Sequence, residues 1–251
     1  MRIFLRYVLS LLAVFGLWAP VAAEAQVTPE RIERAAAEPQ NWLTYNGGYD
    51  SKRYSTLNQI TPRNVKDLEQ KWVLQDQVFG AWESNPLVVD GIMYVTERPN
   101  DVIALDAKTG KVFWLYRYTP SPDARICCGA NNRGVAVLGD TLFLGTLDAH
   151  LIALDAKNGR PVWNIAVADT KLAYSITMAP LVVKDKVIIG VGGGEFGIRG
   201  FIAAYDAKTG KEAYASTRFP DPASRDTTHG AAMIGCTAAH RHGSPAPSIR
   251  R

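Results

Sequence analysis

The chain has 251 residues, 47% hydrophobic, 21% charged and 10% aromatic, with 21 Gly and 14 Pro, a globular composition for one or two domains that excludes a wholly disordered chain. Of its formal net charge of +4, residues 1–25 carry +1 (Arg2 and Arg6 against Glu24) and residues 220–251 carry +2 (four Arg against Asp221 and Asp226). The body is nearly neutral, which argues against nucleic acid as a partner, because phosphate binding needs clustered Lys and Arg, and three cysteines are too few for a disulfide-dense scaffold.

The chain opens MRIFLRYVLSLLAVFGLWAPVAAEAQ, with basic Arg2 and Arg6, an apolar run from Tyr7 to Trp18, a breaker at Pro20 and small residues at Ala23 and Ala25. That order predicts a signal peptide over 1–25, cleaved near Ala25, and hence an exported, periplasmic chain in which disulfides are permitted. A membrane anchor would need about 20 apolar residues, more than this run provides, so no stable membrane span is expected. The next stretch, WLTYNGGYDSKRYSTLNQITPRNVKDLEQKWVLQ, is turn-rich and closes with Trp72 at the start of a strand pattern. It reads as a lead-in whose strands cap or close a blade.

Internal repetition then dominates. DVIALDAKTGKVFW (101–114) lies over HLIALDAKNGRPVW (150–163) and FIAAYDAKTGKEAY (201–214), with Asp106, Asp155 and Asp206 spaced by 49 and 51 residues. That is close to the repeat of one propeller blade, ~40–50 residues. Each copy reads as a hairpin: an apolar strand ends at Asp, Gly supplies a positive φ in the turn, and a second strand carries an aromatic. Companion hairpins precede each copy at 86–97, 134–148 and 179–193, turning at Asp90-Gly91, Gly139-Asp140 and Lys184-Asp185. The unit is thus a four-stranded antiparallel blade, which buries its faces only by stacking on sister blades. Trp114, Trp163 and the third-position Tyr214 either dock each blade on its neighbour or serve as ordinary core aromatics.

Three units fall short of the roughly four to eight blades of a closed ring. The expected fold is therefore all-β, a partial β-propeller over residues 26–219. An open arc exposes an apolar face and an unpaired edge, which predicts aggregation or poor folding for the chain alone. From Pro220 the period stops, and the small, polar residues of 220–251 predict a disordered or out-of-frame tail, as a frameshift or a truncated gene would leave.

Four local features carry chemistry. Adjacent Cys127-Cys128 could be two free or buried thiols, or a strained eight-membered disulfide ring, because neighbouring Cα atoms about 3.8 Å apart lie below the usual disulfide span; metal binding by the pair lacks a C-x-x-C or His partner. Cys236, in the tail, has no assigned role. Gly192-Gly193-Gly194-Glu195-Phe196-Gly197 follows the strand KVIIGV; such glycines let a flat ligand approach, and a carboxylate at a strand end suits a hard cation. This is not a dinucleotide fingerprint, because the chain returns to a strand instead of opening a helix. Trp82-Glu83, Asn132-Arg133 and Thr177 lead into the first strands of successive blades. First strands line a propeller's axis, so Glu83, Arg133, Thr177 and Glu195 are expected to aim at one central funnel.

The series WES-P-LVVDG, ICCGANNRGVAV, TLDAHLIALDAKNG, TMAPLVVKDKVIIG and GGGEFGIRGFIAAYDAKTG resembles the N-terminal part of the pyrroloquinoline quinone (PQQ) dependent alcohol dehydrogenases, the methanol and ethanol dehydrogenase quinoproteins, from about Trp42 to about Arg218. The resemblance implies an eight-bladed propeller with the quinone stacked in the axial funnel over a ring formed by Cys127 and Cys128. It matches Glu83, Arg133 and Thr177 to groups that bond the cofactor's carboxylates and quinone oxygens, Gly193 and Gly194 to backbone lying against it, and Glu195 to a Ca²⁺ ligand, with a lanthanide as the other metal. Gly194 stands where the family often has Ala. The implied activity is oxidation of primary alcohols, with electrons passed to a cytochrome c. The family's catalytic Asp, its Asn metal ligand and the Trp on the other quinone face belong to later blades, and nothing after Arg218 resembles those blades. No catalytic base is therefore assigned, and little or no turnover is expected. The alternative, a non-catalytic propeller scaffold that binds protein partners, gives no reason for the cysteine pair or the charged groups around it.

Overall fold

The computed structural model describes residues 27–217, except 77, 81 and 128. The expected signal peptide (1–25), the tail (220–251), Cys128 and Cys236 lie outside the described residues. Twelve strands form three four-stranded antiparallel sheets among them. Blade 1 is β1 (Leu87–Val89), β2 (Ile92–Glu97), β3 (Asp101–Asp106) and β4 (Val112–Tyr116); blade 2 is β5 (Ala136–Leu138), β6 (Thr141–Gly145), β7 (His150–Asp155) and β8 (Pro161–Ala166); blade 3 is β9 (Leu181–Val183), β10 (Lys186–Gly190), β11 (Phe201–Asp206) and β12 (Glu212–Thr217). Each blade is a meander in sequence order. The expected all-β partial propeller is the observed fold.

The repeated turn explains why these sequences form hairpins. Asp106 Oδ1 accepts the amides of Lys108 and Thr109, both at 2.8 Å, and the Gly110 amide returns to the Asp106 carbonyl at 2.8 Å. Asp206 does the same for Thr209 and Gly210, and Asp155 for Lys157 and Gly159. These amides hold the Asp106 carboxyl below the usual carboxylate range.

Period-two alternation then sorts the buried residues between neighbours. Val102 and Ala104 of β3 pack with Ile152 and Leu154 of β7 in one core cluster, whereas Leu151 and Ala153 of β7 pack with Ala203 and Tyr205 of β11 in another. Each fully buried Leu or Ile stabilises by about 1.5–3 kcal/mol, so the two seams between blades hold most of the core.

Two of the three aromatics join the blades, whereas Tyr214 is 62% exposed. Trp114 of blade 1 donates its Nε1–H to the Ala156 carbonyl of blade 2 at 3.0 Å, and Trp163 of blade 2 donates to Ala207 of blade 3 at 3.1 Å. The rings lie on the turn glycines: a Cβ at Gly159, whose φ is +73°, would come within 2.5 Å of Trp114. Trp72 of the lead-in uses the same station on blade 1, donating to the Ala107 carbonyl at 3.2 Å and covering Gly110.

The lead-in departs from expectation. No strand forms between Trp42 and Pro86 among its described residues, although Trp42 makes an isolated bridge to Val88. A strand needs a partner with which to exchange backbone hydrogen bonds, and residues 69–76 find none there. A short helix also precedes the lead-in: α1 (Pro29–Glu33) is capped by Thr28, with Pro29 opening its first turn. Its Arg31 reaches both Glu38, at 2.7 Å, and Asp90 of the β1–β2 turn, at 2.6 Å, and so fastens the N-terminal segment to blade 1. Among the described residues no helix is long and apolar enough to cross a membrane.

Candidate functional site

The inner ends of the three blades are stitched together just ahead of their first strands. The Asn85 amide donates to the Arg133 carbonyl and the Arg133 amide to the Thr177 carbonyl, both at 3.1 Å. Ser175 and Gly192 then exchange amide bonds at 3.2 and 2.7 Å. Arg133 and Thr177 occupy equivalent stations on this belt. Blade 1 places Asn85 there, and Glu83 lies two residues earlier.

Side chains meet along the belt. Glu83 Oε2 lies 2.5 Å from Arg133 Nη2, Asn131 Nδ2 donates to Glu83 Oε1 at 2.9 Å, and Arg133 Nη1 donates to Thr177 Oγ1 at 2.9 Å. Glu83, Arg133 and Thr177, predicted from separate blades, are therefore one bonded cluster. Glu83 and Arg133 are each 38% exposed, so solvent screens their pairing and a charged ligand can compete for the guanidinium.

A second pair lies at loop tips. Cys127 Sγ is 3.3 Å from Glu195 Oε1, and the Arg125 guanidinium sits over the Phe196 ring, 5.1 Å from its centroid. The cysteine loop thus meets the glycine loop twice. Gly193 is buried with φ +121°, and a Cβ there would fall 2.1 Å from the Ala173 carbonyl oxygen, so only glycine fits. Gly194 is exposed, with open space where its Cβ would be.

Buried polar groups hold the cysteine loop at both ends, one of them, Asp148, missed by the sequence reading. Asp148, on the β6–β7 turn, accepts from the Tyr118 hydroxyl at 3.0 Å, the Ser121 amide at 2.8 Å and the Thr146 hydroxyl at 2.6 Å. Burial, and then the Asp148 charge, push the Tyr118 hydroxyl well above its ordinary range. At the other end buried Asn132 donates to the Gly145 carbonyl at 2.8 Å and accepts the Gly134 amide at 2.9 Å. Asn131 was also missed, although its place between the cysteines and Arg133 was visible. Trp82, singled out beside Glu83, caps β2 instead, donating to the Thr96 carbonyl at 2.8 Å.

Residues 42–239 match the family model for the PQQ-dependent glucose, ethanol and alcohol dehydrogenase β-propeller domain. The chain belongs to the PQQ-dependent alcohol dehydrogenase family. The match runs on past Arg218, further than the residues of the tail suggest. Among this quinoprotein's relatives are the quinohemoprotein alcohol dehydrogenase ADH-IIG of Pseudomonas putida, 45% identical over 204 residues, and the lanthanide-dependent methanol dehydrogenase of Methylacidiphilum fumariolicum, 41% identical over 218 residues. Those alignments cover 79% and 84% of this chain, but only 28% and 35% of the relatives. A solved europium-containing methanol dehydrogenase superposes with a TM-score of 0.71 at 41% identity, covering 74% of this chain and 33% of that one. This quinoprotein therefore spans about a third of the length of the relatives it matches.

The donor set fits a tricarboxylate quinone. Arg133 and the Thr177 hydroxyl offer cationic and neutral donors, and Gly194 leaves open room at the rim. A metal ion is less well provided for: among the described residues no group of three or more His, Cys, Asp or Glu could hold one.

Proposed function

We propose that this chain is the N-terminal part of an exported, periplasmic quinoprotein that oxidises primary alcohols with PQQ and Ca²⁺ or a lanthanide and passes electrons to a cytochrome c, and that the chain alone turns over little or no alcohol. The observation that carries this reading is the Glu83–Arg133–Thr177 cluster, supplied by three blades, at the base of the loop that brings Cys127 to Glu195. When bound, PQQ supplies the electron-accepting carbonyl, and its metal ion the Lewis acidity that polarises it.

The residues present have binding roles. Arg133 gives charge-assisted hydrogen bonds to a carboxylate, Thr177 adds a neutral donor, and Glu83 orients the guanidinium until a ligand competes for it. A vicinal disulfide between Cys127 and Cys128 would offer the quinone a flat apolar surface, and the Gly193-Gly194 backbone would let it approach closely. Glu195 contributes at most two of the six to eight oxygens that Ca²⁺ takes, so the remaining ligands, and the group that accepts the alcohol proton, must come from blades that this region does not supply.

The test is equilibrium binding of PQQ with Ca²⁺, and separately with a lanthanide, followed by dye reduction with a primary alcohol. Uptake without turnover, weakened by Arg133→Ala, is the expected outcome. Turnover would refute the incompetence of the chain. Absence of uptake would favour the non-catalytic scaffold reading.

A further inference from the structure

We propose that Arg98 is a positioning residue: it completes a three-point clamp, with one charged side chain from each blade, that presets the loop of Cys127 and Cys128 for the cofactor. This role rests on the cofactor reading above. The turn between a blade's second and third strands carries Arg98 in blade 1, Asp148 in blade 2 and Glu195 in blade 3. All three reach the one segment, 117–135, that joins β4 to β5. Asp148 takes its entry, through the Tyr118 hydroxyl and the Ser121 amide. Glu195 meets Cys127, and Arg98 takes the exit, donating its Nε–H to the Ala130 carbonyl at 3.2 Å.

The same guanidinium reaches the segment that leads to Glu83. Its Nη1 donates to the Phe79 carbonyl at 3.3 Å. Gly80, where φ is +130°, makes room for it, since a Cβ there would fall 1.6 Å from Nη1. A Cβ at Gly129, the residue after Cys128, would make ordinary contact with Nη2, 3.6 Å away. Ala130 immediately precedes Asn131, whose Nδ2 donates to Glu83 Oε1 at 2.9 Å. Arg98 therefore closes a circuit that holds the carboxylate facing Arg133 and the loop bearing the cysteines at a fixed separation.

The base of the clamp is firm. Asn100, wholly buried in the turn of Arg98, accepts the Leu147 amide at 3.0 Å and donates to the Gly145 carbonyl at 3.4 Å, which ties that turn to the one carrying Asp148. Both partners of Arg98 are neutral carbonyls on different segments, so its planar fork acts by bridging them. A lysine ammonium on a flexible stem keeps the charge but not the fork. A loop fixed before the quinone arrives has little freedom left to lose, and binding is tighter by that entropy.

Amide hydrogen exchange over residues 118–131 is measured on the full cofactor-free chain, and PQQ uptake with Ca²⁺ by equilibrium binding. Arg98→Met should speed exchange in that loop about tenfold, leave β6 and β7 as protected as before, and weaken PQQ uptake about tenfold. Arg98→Lys should recover little of either loss. Unchanged exchange in the loop, exchange that rises throughout the blades, or affinity restored by lysine while the loop stays fast, overturns the proposal; the last outcome would mean that the charge attracts the tricarboxylate directly. If the unmodified chain takes up no PQQ, the cofactor reading fails by itself, and exchange in the two variants upholds or overturns the clamp.

Discussion

Blade 2 and blade 3 share an Asp-Ala-Lys-x-Gly turn and a strand order, yet they differ in how well they are covered. Blade 2 is packed on both faces: Leu151 and Ala153 meet blade 3, Ile152 and Leu154 meet blade 1, and all four are fully buried. Among the described residues, blade 3 is packed on one face only. Ala203 and Tyr205 are buried against blade 2, while Ile202 and Ala204 between them remain partly exposed. The strand pattern is apolar on both faces in both blades, so the difference comes from the neighbour and not from the blade's own sequence. A propeller blade specifies its hairpins locally but obtains its stability through its seams.

The largest expected effect tests that contrast directly. Trp114→Ala removes a ring packed between blades 1 and 2, together with its hydrogen bond to Ala156, and should cost about 3 kcal/mol in denaturant unfolding. Tyr214→Ala, the equivalent change at the uncovered edge, should shift stability by no more than about 0.5 kcal/mol. Equal losses would show that the aromatics stabilise their own blades and not the seams. A glycine pair sharpens the same point. Gly159→Ala imposes left-handed strain and also drives a methyl into Trp114, whereas Gly91→Ala, at φ +84°, imposes the strain with open space around it. About 1 kcal/mol is expected at Gly91, and about 2–3 kcal/mol at Gly159 once overpacking adds to it.

This division between local and seam information sets what could be read in the sequence. The Asp-Ala-x-x-Gly turns were legible because Asp, Gly and the flanking strands interact within a few residues, and all three hairpins carrying them form as expected. So was the meeting of Arg133 and Thr177, because the repeat places them at equivalent stations, whereas Glu83, two residues before the equivalent Asn85, joins them through its side chain. The unpaired lead-in was less legible: residues 69–76 have a strand's pattern, but pairing depends on a partner that no local pattern specifies. Asp148 was missed for a related reason. Its partners Tyr118 and Ser121 lie 30 and 27 residues away, and a lone Asp at a strand end looks like any solvated turn. Helix α1 did leave a trace, in Thr28-Pro29-Glu30, an N-cap, a first-turn proline and an acidic first-turn residue.

A smaller effect concerns how the N-terminal segment is held on blade 1, away from both seams. Arg31 pairs with Asp90 and Glu38, and its hydrogen bonds are the first cause holding both carboxyls below their ordinary values. A carboxyl depressed in the folded state stabilises fully above its unfolded value, near pH 4, and that contribution fades as pH falls through the lower folded value. Acidification below about pH 4 should therefore loosen residues 27–41 ahead of the blades, seen as faster amide hydrogen exchange there while β6 and β7 stay protected. Arg31→Met should cost about 1–2 kcal/mol near neutral pH, because Arg31 is largely buried whereas Asp90 is screened by solvent. The same substitution should weaken the acid dependence, since both carboxyls lose their chief depressing partner and keep only the Asn41 amide. If exchange in the blades rose together with exchange in the segment, the Arg31 clasp would belong to the cooperative core, and the seams would not be the chief source of the arc's stability.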